Sequence, residues 1–374
     1  MGTVVDVVLV LAGVTLVCIV LDSAMRTFVL PRAVVSRLTR IVFRSLRVLF
    51  DAIARRFKTY EGRDRVMALY APFGLLLLVV SWLVILIAAY AFVLRGAVVH
   101  DWARAFELSG SSLFTLGFVV PPRTAAGYAL SFAESASGLA VLALLIAYLP
   151  TIYSSFSRRE LLVAKLAVRA GTPPTAVELL ERFHAIGWTD QLPELWSTWE
   201  EWFAELAETH TTFAVLPFFR SPNPNRSWIT AAGAVLDGAA LANSALSIPW
   251  SPEAGLCIRA GYLALRELAD LFGIPYDPDP APDGPISISR DEFDDAYRRL
   301  GGAGVPIRPD RERAWRDFAG WRVNYDSVLL ALAGLTMAPY APWSSDRSLR
   351  VRRPPILRVR TATSRGGSAA PRAG

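Results

Sequence analysis

The sequence predicts an all-α membrane protein with three transmembrane helices, one re-entrant loop between the second and third, and a helical cytoplasmic domain. Three observations lead there. Three stretches are long and apolar enough to cross a bilayer as helices, which takes roughly 20 mostly apolar residues. The gap between the last two holds only a short helical pattern and a glycine-containing turn, too little to cross again. The second half of the chain alternates amphipathic helical patterns with proline- and glycine-rich breakers. Hydrophobic residues make up 53% of the 374, too many for a purely soluble chain, and the excess lies in the first 160.

The first span, TVVDVVLVLAGVTLVCIVL at residues 3–21, contains one charge, Asp6, and defines an N-terminal region 1–30. It lacks the basic start and small-residue cleavage site of a signal peptide. Residues 31–65 form a linker, and positions 31–66 carry ten Lys/Arg against three acids. Arg37, Arg40, Arg44 and Arg47 recur there at intervals of three and four, while Val35, Leu38, Val42, Leu46, Leu49 and Ile53 share another face. This is a basic amphipathic helix. It suits an interface of anionic membrane lipids, with guanidinium groups on phosphates, and equally a place against the protein's own cytoplasmic domain.

The second span, from Val66, has no charge in 29 residues and ends at Arg95. The third, residues 128–156, is interrupted only by Glu134. The positive-inside rule puts the basic linker in the cytoplasm, the N-terminus and residues 95–127 outside, and the exit at Ser157-Arg158-Arg159 inside. The expected location is the cell (inner or plasma) membrane, multi-pass, with a cytoplasmic C-terminus.

WARAFELSGSSLF, residues 102–114, reads as a short helix weakened by Gly110 and its serines, and TLGF follows. Non-helical backbone at membrane depth survives only where protein buries it or where it lines a wet cavity. An acid in a spanning helix, such as Glu134, faces a cavity or a partner unless it lies near enough to the helix end to reach water. The order of spans, short helix, Thr115-Leu116-Gly117-Phe118, then AESASGLAVLALLIAYLP and TIYSSFSRRE resembles the pore module of the bacterial potassium channel superfamily. The likeness covers roughly residues 66–175, with the pore module itself at 66–157.

The resemblance implies a cation channel whose filter carbonyls come from Thr115, Leu116, Gly117 and Phe118, with a monovalent cation such as K+ as the permeant ion. It implies Gly138 as an inner-helix hinge, Pro150 as a second kink site, and Glu134 as a pore-associated acid. With one pore loop per chain, it also implies a homotetramer. The sequence departs from the pattern after Phe118. Val119-Val120-Pro121 stands where a glycine and an aspartate would follow, so the resemblance implies an outer carbonyl ring that is missing or splayed, a mouth without its acid, and weakened or altered selectivity. A non-conducting signalling or scaffold protein on the same fold is the alternative.

Residues 158–345 read as the cytoplasmic helical domain. Helices are expected after Pro174, over about 190–212, and over Ser227–Leu246, Pro252–Phe272 and Asp310–Leu335. Ser289 and Glu292 are spaced as a capping box. Trp196, Trp199, Trp202 and Phe203 form a core or interface cluster. The remainder, 346–374, reads as a disordered basic tail with eight Arg after Asp346 and no acid. Two basic patches beside apolar segments point to an anionic membrane surface rather than to nucleic acid.

Cys18 and Cys257 are isolated, and His100, His184 and His210 lack ligand spacing, so no metal or other cofactor is expected. The DPDPAPDGP stretch lacks the closing glutamate of a calcium loop. No nucleotide loop, nucleophile elbow or paired carboxylate appears, which argues against an enzyme. No regulator of the domain can be named from its sequence.

Overall fold

The computed structural model describes residues 2–28 and 36–348. Val35 of the basic linker and the expected tail from residue 349 onward lie outside the described residues. In the first half the helices are α1 (Gly2–Phe28), α2 (Arg37–Ala54), α3 (Tyr60–Ala68), α4 (Tyr70–Ala97), α5 (Trp102–Leu113) and α6 (Ala125–Ala170). In the second they are α7 (Ala176–Ala185), α8 (Leu192–Thr212), α9 (Trp228–Ala245), α10 (Pro252–Phe272), α11 (Arg290–Gly302), α12 (Arg311–Arg322) and α13 (Asp326–Thr336). Among the described residues there is no β-strand; one isolated antiparallel bridge joins Leu246 to Ile307.

Three helical stretches are long and apolar enough to cross a membrane: α1, α3 continuing into α4, and α6. α1 and α4 pack antiparallel. Asp6 at the start of α1 lies 3.6 Å from Arg95 at the end of α4. At their crossing, Gly13 and Gly96 each sit so close to the facing backbone that a Cβ would come within 2.5 Å of a carbonyl oxygen, that of Ala89 and Asp6 respectively. Small residues permit such an approach between spans, where hydrophobic drive is absent. At the other end Trp82 Nε1 donates to Ser23 Oγ at 3.1 Å, and Phe28 packs edge-on to Trp82 and Tyr148.

The basic linker is two helices rather than one. α2 stops at Ala54, where Arg55, Arg56 and Lys58 crowd like charges together, and Thr59 restarts the chain by capping α3 through Gly62 N at 3.3 Å. α6 is longer than expected, running unbroken to Ala170 instead of ending at Phe156. At 1.5 Å per residue its 46 residues extend about 69 Å. Its added turns bury Arg159, Val163, Leu166 and Ala170 against the helical domain, and this packing keeps them helical.

In that domain α9 is the axis. Every residue from Trp228 to Ala245 is buried, and its many small residues let α6, α7, α10, α12 and α13 close in. A helix apolar on all sides belongs in the centre. Trp196, Trp199, Trp202 and Phe203 of α8 form part of this core. The capping box at Ser289 and Glu292 is present and opens α11. The single helix expected over 310–335 is divided into α12 and α13. Between them the Asn324 carbonyl accepts from Arg266 Nη2 at 3.0 Å, and Arg322 turns inward to Asp237 at 2.5 Å.

Candidate functional site

α5 lies in the angle between α4 and α6. Its first residue, Trp102, packs edge-on to Phe92 near the end of α4, and Ser109 Oγ lies 2.9 Å from the Ile87 carbonyl. As α5 advances it therefore retraces α4. Its other flank is fixed by α6, one turn at a time. Ser109 Oγ lies 2.5 Å from Glu134 Oε1, and Ser135 Oγ donates to the Ser112 carbonyl at 2.7 Å. Gly138 faces the Leu113 carbonyl with no room for a Cβ.

Glu134 is fully buried, so it does not reach water from the helix end, and its Oε2 has no partner among the described residues. Gly138 is occupied as a packing contact, where the resemblance implied a hinge. Pro150 lies on an exposed position of a helix that continues through it.

Residues 114–118 follow α5 and are all exposed. Their backbone is held from behind. The Thr115 and Leu116 amides donate to the Ser112 and Ser111 carbonyls at 3.0 and 2.9 Å, and the Val119 amide donates to Ser111 Oγ at 3.2 Å. Thr115 has φ 55° and Gly117 has φ 74°, both left-handed. A β-branched residue in that region is an outlier, held only because its surroundings over-determine it. Left-handed residues at alternate positions turn successive peptide groups the same way, where an ordinary strand would alternate them. The carbonyls of Phe114 through Phe118 accept no hydrogen bond among the described residues. The result is a short ribbon whose first three amides are anchored to α5, as is the Val119 amide after it, and whose five carbonyls are free.

The ribbon ends abruptly. Val119 is buried among Ala91, Leu94 and Leu108, and beyond it Arg104 Nη2 approaches the Val120 carbonyl at 3.4 Å. The Arg104 guanidinium thus lies beside the chain that leaves the ribbon.

The four linker arginines have different environments. Arg37 and Arg44 are exposed and Arg40 is half-buried. Arg47 departs from the lipid-facing expectation. It is 6% exposed, pairs with Asp51 at 2.9 Å, and donates to the Leu335 carbonyl at 3.1 Å. Nearby, Arg220 pairs with Asp64 and donates to the Thr336 carbonyl at 2.6 Å and the Met337 carbonyl at 3.2 Å. Tyr60 OH donates to the same Met337 carbonyl at 3.2 Å. The last carbonyls of α13, which a helix leaves unpaired, are thus capped from α2, α3 and the segment before α9.

Ser109, Ser111 and Ser135 are site residues that motif reading did not pick out. Their signal was the run Ser-Gly-Ser-Ser at 109–112 beside the serines of α6, which reads as poor helix chemistry until the anchors are visible. Among the described residues no group of three His, Cys, Asp or Glu is placed to hold a metal ion. No family model, curated protein or solved structure matches the chain.

Proposed function

We propose that the chain is a homotetrameric cation channel of the potassium channel type, with residues 102–124 as its re-entrant pore loop and weakened selectivity. The observation that carries this reading is the ribbon of five unpaired, exposed carbonyls at 114–118, with left-handed backbone at Thr115 and Gly117. Four such ribbons around an axis would offer rings of carbonyl oxygens to a dehydrated monovalent cation such as K+.

Supporting it is an apolar stripe on α6, where Phe132, Leu139, Leu142, Ile146 and Tyr153 are exposed at helical spacing. Neighbouring copies would cover that stripe in a tetramer. The early turn inward at Val119 leaves no outer ring, which is the reason for weak selectivity. On this reading the helical domain is cytoplasmic and biases the gate through α6, while Arg37 and Arg44 contact anionic lipid phosphates.

A second reading, a non-conducting protein on the same framework, is favoured by the Arg104 guanidinium at the mouth. Purified protein in planar bilayers under K+ and Na+ gradients separates the two. Unitary cation currents with low K+/Na+ discrimination are expected. Silence across voltage, pH and lipid composition would sink the channel reading. Insertion of Gly-Asp after Phe118 is expected to raise the K+/Na+ permeability ratio.

A further inference from the structure

We propose that the start of α9, together with Arg226, Ser221 and Ser227, is a binding site for a phosphate group. α9 is the most deeply buried helix of the domain, and its first three residues, Trp228, Ile229 and Thr230, are at most 2% exposed. Their amides have no hydrogen-bond acceptor among the described residues, and Ser227 at the N-cap position makes no side-chain cap bond. A buried helix start without partners is costly, and the aligned peptide dipoles there favour an anion.

Independent polar groups face the same place. A small, partly open cleft is lined by Ser221, Arg226, Ser227 and Trp228, and also by Asp64 and Arg220. Ser221 is 9% exposed and its Oγ has no partner, and Arg226 Nε is buried without one. Arg220 is already consumed by Asp64 and two carbonyls, so the pair adds little net charge. Arg226, the Ser221 and Ser227 hydroxyls and the start of α9 at Trp228 line the cleft as donors without an acceptor, and that is the complement of a phosphate.

The cleft lies at the end of the spans remote from the carbonyl ribbon. Phe218 on its wall packs edge-on to Tyr70, the first residue of α4, and Phe219 packs on Phe156 of α6. A phospholipid headgroup and a free phosphate ion can both present the chemistry at that level. The site is independent of the channel reading and stands or falls separately from it.

The test uses the full chain in a phosphate-free maltoside detergent, melted while tryptophan fluorescence is followed. One arm adds inorganic phosphate against chloride at equal ionic strength; the other adds phosphatidic acid to the micelles. A rise of about 3 °C is expected from at least one source, and the responding arm identifies which. Arg226→Gln is expected to abolish the rise. Ser227→Asp, which supplies its own carboxylate to the amides, is expected to melt higher without phosphate and to ignore it. Should Arg226→Gln fail to fold, Ser227→Asp decides alone. No rise from either source, as for a cleft holding water only, overturns the proposal. So does a rise that Ser227→Asp leaves undiminished.

Discussion

Gly117 and Gly138 sit on either side of the same α5 terminus and are glycines for opposite reasons. Around Gly117 there is open space for a Cβ, but φ 74° disfavours one. Around Gly138 the helical backbone tolerates any residue, but the Leu113 carbonyl occupies the space. Gly117→Ala is therefore expected to disturb the ribbon by about 1–2 kcal/mol and, on the channel reading, to reduce ion flux. It should leave the global melting temperature nearly unchanged, because the segment lies outside the core. Gly138→Ala is expected to push α5 away and lower stability by about 1–3 kcal/mol, read as a fall in melting temperature. If both variants melted alike, the distinction between conformation and space would be wrong.

Between elements, buried polar clusters hold the long helices to the domain. His210 of α8 is fully buried, and Arg159 of α6 approaches its Nε2 at 3.1 Å. A guanidinium only donates, so Nε2 must accept and the imidazole is neutral. Burial, and then the Arg159 charge, push its pKa well below 6.5. The unfolded chain therefore binds a proton below pH 6.5 that the folded chain refuses. Stability from this residue is complete above that pH and declines as pH falls, by at most about 1.4 kcal/mol per unit. His210→Gln retains an acceptor for Arg159 but does not titrate. Its melting temperature is expected to fall less than the wild type's between pH 7 and pH 5. Parallel melting curves would show that His210 does not set the slope.

At the scale of the whole molecule, α6 connects everything. One helix carries Glu134 and Gly138 beside the carbonyl ribbon, Phe132, Ile146 and Tyr153 on an uncovered apolar stripe, and Arg159 in the domain core. Exposures of 71%, 64% and 70% at those three stripe residues mark an apolar surface that lipid or neighbouring copies would cover, and on the channel reading the neighbouring copies of a tetramer cover it. Light scattering on detergent-purified protein is expected to give four times the 40.9 kDa chain mass. Ile146→Asp is expected to reduce that assembly. A monomer in several mild detergents would remove the tetramer and, with it, the pore.

The spans, the short helix at 102–113, the capping box and most domain helices were legible in the sequence, because apolar length and capping chemistry act over neighbouring residues. The candidate ribbon was legible as residues but not as geometry: Thr115 carries no sign of its left-handed backbone, which α5 imposes through Ser111 and Ser112. Arg47 likewise has the spacing of a lipid-facing arginine, and only the folded chain brings the Leu335 carbonyl to it across nearly the whole sequence. The sequence by itself determined which segments are apolar and helical. Tertiary structure decided which charges go inward, where α6 ends, and which carbonyls remain unpaired, since each depends on partners that local chemistry does not specify.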